Sequence, residues 1–65
     1  MKAWIARDKD GELYMFSHLP ILCRNTYFIA SDGTNSMKLD RNMFPEVTFE
    51  ESPKKLKIKI IEDES

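Results

Sequence analysis

The chain has 65 residues, with 10 basic and 11 acidic side chains, and its formal net charge is −1. This length supports one domain at most, and the near-neutral balance excludes the strongly basic class of nucleic-acid-binding domains. Hydrophobic residues make up 42% of the chain, which excludes intrinsic disorder, and no apolar run approaches the ~18 residues of a transmembrane helix.

The first two predicted strands form a hairpin. Residues 3–7 and 12–16 are separated by Asp8-Lys9-Asp10-Gly11, which is typical of a type I turn closed by a left-handed glycine. Pairing Asp8 with Glu12 then places Trp4 opposite Phe16, Ile5 opposite Met15, Ala6 opposite Tyr14 and Arg7 opposite Leu13. A tighter turn would shift the pairing by one residue, but aromatic cross-strand pairs favour the first register.

The middle of the chain predicts shorter elements. Ser17-His18-Leu19-Pro20 ends the second strand, because proline cannot donate a ladder hydrogen bond. Residues 21–23 predict a short or edge strand, and residues 26–30 a stronger one that is rich in β-branched and aromatic side chains. Residues 31–36 predict a turn, and residues 37–39 a half-exposed strand.

Residues 40–45 predict a single 3₁₀ or α-helical turn. Asp40 is a favourable N-cap and Pro45 a favourable stop. Met43 and Phe44, which lie between them, are expected to plug one end of the sheet.

The C-terminal part predicts a closing hairpin formed by residues 47–49 and 56–61. In the last strand, alternation turns Leu56, Ile58 and Ile60 inward and Lys55, Lys57 and Lys59 outward. We therefore expect an all-β fold, a small antiparallel meander of about five or six strands curled into a barrel or sandwich. This single domain spans residues 1–61, and residues 62–65 form an acidic frayed tail.

Two segments resemble a set of short uncharacterised bacterial proteins that are often found among phage or mobile-element genes. They are WIARDKDGELY at residues 4–14 and FPEVTFE at residues 44–50, and together they cover about a third of the chain. The resemblance implies a compact β fold and a phage context. It implies no activity and transfers no functional residue.

The sequence predicts no catalytic, cofactor or metal site. Asp8 and Asp10 are spaced as in part of a calcium loop, but Ala6 and Ser17 would then occupy positions that need carboxylates. His18 and Cys23 are the only imidazole and thiol, whereas a zinc site takes three or four such ligands. One unpaired cysteine without an export signal predicts a cytoplasmic protein.

The most informative feature is apolarity on both faces of the predicted strands. The second strand alternates Leu13 and Met15 with Tyr14 and Phe16, whereas a solvated sheet alternates apolar with polar side chains. Either both faces are covered by the fold, or an aromatic patch is exposed and marks a contact site. The leading hypothesis is a small interaction module that binds another protein or itself. Its candidate contact residues are Trp4, Tyr14 and Phe16.

The alternative hypothesis is a weak single-stranded nucleic-acid-binding domain. Lys55, Lys57 and Lys59 would lie on one strand face at ~7 Å intervals, close to the spacing of phosphates. Lysines on a terminal strand also prevent aggregation through its edge. Because acidic residues 62–64 follow directly, the solvated-face interpretation is favoured and nucleic acid is not the expected partner.

Overall fold

The computed structural model describes residues 2–31 and 35–57. This part of the chain is all-β and contains no helix, which confirms the predicted fold class. The strands are β1 (Lys2–Arg7), β2 (Leu13–Phe16), β3 (Ile21–Cys23), β4 (Tyr27–Ile29), β5 (Ser36–Leu39) and β6 (Lys54–Lys57). One antiparallel sheet has four strands in the order β5-β2-β1-β6, and β3 and β4 form a separate hairpin. The sheets are not closed into a barrel.

The β1–β2 hairpin has the predicted register. The amide of Asp8 donates to the carbonyl of Glu12 at 2.8 Å, and Trp4 lies opposite Phe16. Gly11 has a φ of +98°, which only glycine adopts without strain. A Cβ at this position would also lie 2.6 Å from Nη2 of Arg41. The turn therefore depends on glycine for its backbone, whereas the flexible end of the Arg41 side chain can shift to make room for a Cβ.

The β3–β4 hairpin matches the two short strands predicted in the middle of the chain. Its turn places Arg24 and Asn25 at φ values of +52° and +57°, as in a type I′ turn. The amide of Thr26 closes the turn by donating to the carbonyl of Cys23 at 3.1 Å. Neither central residue is glycine, so this turn carries backbone strain that its docking on the rest of the fold must offset.

The predicted closing hairpin at the C-terminus is wrong. Strand β6 pairs with β1, and Leu56 lies opposite Ala3. Residues 47–53 form turns instead of a strand, with the amide of Glu51 donating to Thr48 at 3.2 Å. The physical reason is that β1 lies inside the sheet, where its second row of backbone groups needs ladder partners. Strand β6 supplies them. The predicted positions of Ile58, Lys59 and Ile60 and of the tail lie outside the described residues.

Residues 40–45 form a turn and no helix. Oδ1 of Asp40 caps the segment by accepting from the amide of Asn42 at 2.8 Å, and the amide of Met43 donates to the Asp40 carbonyl at 2.9 Å. Of the two residues expected to plug the sheet, Phe44 packs against the core, whereas Met43 is 44% exposed. The plug is therefore Phe44 alone.

Both faces of the four-stranded sheet are covered. On one face the core residues are Ile5, Leu13 and Val47, packed by Met15, Leu39, Phe44 and Leu56. On the other face they are Ala6, Phe16 and Phe28, packed by Trp4, Tyr14, Ala30 and Phe49. From the turns at residues 40–53, Phe44 and Val47 cover the first face. The β3–β4 hairpin and Phe49 cover the second. The apolarity on both sides of β2 thus reflects burial.

Candidate protein-contact surface

The three aromatic residues predicted as contacts come together on the face that the β3–β4 hairpin covers. Phe16 is only 2% exposed, and its ring centroid lies 6.4 Å from that of Tyr14. Trp4 and Tyr14 are half-buried around the same cluster. Their role as partner contacts stays a prediction, and the ring of Phe16 has almost no free surface to offer.

The exposed apolar surface lies elsewhere. Seven large hydrophobic residues in the described part of the chain are exposed, and five of them fall between positions 19 and 29. These five are Leu19, Ile21, Leu22, Tyr27 and Ile29, with exposures from 37% to 54%. Met37 and Met43 are the other two. Within the described ranges, the β3–β4 hairpin and its entry therefore carry most of the exposed large hydrophobic side chains.

Alternation assigns these side chains to two faces of the hairpin. Leu22 lies opposite Phe28, and Phe28 is 7% exposed in the core, so this pair faces the four-stranded sheet. Ile21 opposite Ile29 and Cys23 opposite Tyr27 occupy the other side. We call these four residues the outer face. No described residue buries Ile21 (52% exposed) or Ile29 (41% exposed).

The β1–β2 turn fixes the position of the hairpin. Oδ1 of Asp8 accepts from the amide of Phe28 at 2.9 Å, and the amide of Lys9 donates to the carbonyl of Thr26 at 2.8 Å. Partial burial raises the pKa of Asp8, the bond from Phe28 opposes this shift, and the nearby charge of Asp10 adds to it. The outer face is therefore presented by a docked element and not by a free loop.

The outer face is uncharged. The Cys23 thiol donates to the hydroxyl of Tyr27 at 3.3 Å. This hydrogen bond, together with the charge that Cys23 carries when it ionises, raises the pKa of Tyr27 above its usual value near 10. Tyr27 is consequently neutral at physiological pH. The two isoleucines of the face, Ile21 and Ile29, carry no ionisable group. Chemically, this surface can bury apolar area and carries no counter-charge for a charged ligand.

A depression of about 350 Å³ lies where the β1–β2 turn meets the hairpin. Its lining residues are Asp8, Lys9, Asp10, Thr26 and Tyr27. Asp8 already accepts from the Phe28 amide, and Oδ1 of Asp10 accepts from the Glu12 amide at 3.0 Å. Both carboxylates thus hold the local fold, which agrees with the interpretation of this segment as a hairpin turn.

The described residues hold no group of three His, Cys, Asp or Glu side chains that could bind a metal ion. The neighbour of the His18 ring is Ser17, whose hydroxyl lies 3.1 Å from Nδ1 of His18. In the part of the chain that the structure covers, no helix is long and apolar enough to cross a membrane.

Of the lysines predicted as a nucleic-acid contact, Lys55 and Lys57 lie in the edge strand β6. Nζ of Lys55 lies over the Trp4 ring, 5.9 Å from its centroid, an attractive cation–π arrangement. Lys57 is in β6, opposite Lys2, and Lys59 lies outside the described residues. The structure therefore ties Lys55 to the fold, and the use of these lysines by nucleic acid stays a prediction.

Comparison of the chain with protein-family models, with curated proteins and with solved structures gives no match.

Sequence reasoning did not single out the outer face. The signal was present, because residues 21–23 are three consecutive apolar residues and Tyr27–Ile29 is apolar on both sides. A hairpin of two strands can turn only one face to its own core. Two such strands paired with each other leave the second apolar face open.

Proposed function

We propose that the chain is a small non-enzymatic protein-interaction module that binds through the outer face of the β3–β4 hairpin. The observation that carries this proposal is the uncharged surface formed by Ile21, Cys23, Tyr27 and Ile29, which no described residue buries. Surfaces of this kind favour contacts that remove apolar area from water.

The size of the surface supports the proposal. With about 200 Å² for each fully exposed large side chain, Ile21, Tyr27 and Ile29 leave roughly 260 Å² of the outer face open, and Leu19 at the entry of the hairpin adds roughly 110 Å². The largest apolar patch on a monomeric protein is typically ~300–600 Å² and is often functional. The other two exposed large hydrophobic residues in the part of the chain that the structure describes, Met37 and Met43, add no comparable cluster.

The distribution of charge supports it as well. Edge strand β6 carries the exposed Lys54 and Lys55, and such lysines deter pairing with other chains. The outer face has no charged residue in any of its four positions. Lysines therefore protect the edge of β6 against association, whereas no charged residue protects the outer face.

Rigid presentation lowers the cost of binding. Phe28 anchors the hairpin in the core, and the hydrogen bonds of Asp8 and Lys9 hold its turn side. A partner would meet side chains that are already ordered, so less conformational entropy is lost on association.

The test compares two double variants of the same chemistry in a capture experiment. The outer-face variant is Ile21→Ser with Ile29→Ser, and the matched control is Met37→Ser with Met43→Ser, which replaces exposed apolar residues elsewhere. Each purified protein is immobilised and incubated with a bacterial lysate that also contains a tagged copy of the same chain. Proteins retained by the wild type are identified by mass spectrometry.

We expect specific retention to be lost in the outer-face variant and kept in the control, with unchanged circular dichroism spectra for both. Equal retention by the wild type and both variants would show that the outer face is not a contact surface, and the proposal would then be abandoned.

A further inference from the structure

We draw no further inference here: the strongest candidate, the depression between the β1–β2 turn and the β3–β4 hairpin, is lined by the carboxylates of Asp8 and Asp10, which already accept hydrogen bonds from backbone amides, and nothing in the described part of the chain points to a ligand there.

Discussion

Replacing Arg7 with lysine removes a set of donors that holds residues 41–47 against the sheet. The guanidinium of Arg7 uses all five of its N–H groups on backbone carbonyls. The acceptors are Val47 at 2.6 Å, Gly11 at 2.7 Å, Arg41 at 2.9 Å, Met43 at 2.9 Å and Phe44 at 3.1 Å. Phe44 has a φ of +49°, a strained value for a bulky residue. Arg7 therefore fixes the segment that covers one face of the sheet.

The expected loss of unfolding free energy in Arg7→Lys follows from the number of hydrogen bonds that the substitution removes. A lysine ammonium has three donors, so at least two of the five carbonyls lose their partner. Hydrogen bonds to a charged group contribute ~1.5–3 kcal/mol each, and water replaces those at the exposed carbonyls. We expect Arg7→Lys to lower the free energy of unfolding by about 2–4 kcal/mol. Because a core of this size supplies ~3–5 kcal/mol, the variant should be close to unfolding.

The assay is urea unfolding followed by the fluorescence of Trp4, the single tryptophan. The control is Arg41→Lys. Arg41 is exposed, with its Nη1 3.2 Å from Oε2 of Glu12 and its Nη2 3.2 Å from the Asp10 carbonyl, and such surface pairs contribute about 0–1 kcal/mol. We expect the urea midpoint to fall by roughly 40% or more in Arg7→Lys and to change little in the control. Equal midpoints for the two variants would refute the role assigned to Arg7.

Two further changes test the turns that position the outer face. Asn25→Gly should raise the free energy of unfolding by about 0.5–1 kcal/mol, because glycine adopts the φ of +57° at this position without steric cost; an unchanged or lower urea midpoint would contradict this. Asp8 should make the wild type gain stability as pH falls, since a pKa raised in the folded state means that protonation favours folding. Asp8→Asn keeps an oxygen acceptor for the Phe28 amide and should therefore be more stable than the wild type above the raised pKa. The difference should shrink as pH falls from the raised pKa toward 3.8 and be absent below it. Urea midpoints of both proteins across this range check the sign, and a difference independent of pH would show that Asp8 does not titrate as described.

The sequence by itself determined the elements whose causes are local. The β1–β2 register follows from Asp8-Lys9-Asp10-Gly11, because the turn type dictates which residues lie opposite each other. The short strands β3 and β4 follow from β-branched and aromatic side chains between turn residues. Asp40 caps a turn, as its side chain predicts.

Only the tertiary structure decided the features that depend on distant residues. The partner of β6 is β1, because a central strand needs a ladder on both sides. The path of residues 41–47 is set by Arg7, more than thirty positions away in sequence.

The location of the exposed apolar surface was also decided only by the tertiary structure. Alternation tells which side chains share a face, and it showed that β2 is apolar on both sides. It does not tell which faces other parts of the chain will cover. Covering Phe16 required the hairpin to turn Phe28 inward, and that choice left Ile21 and Ile29 on the outside.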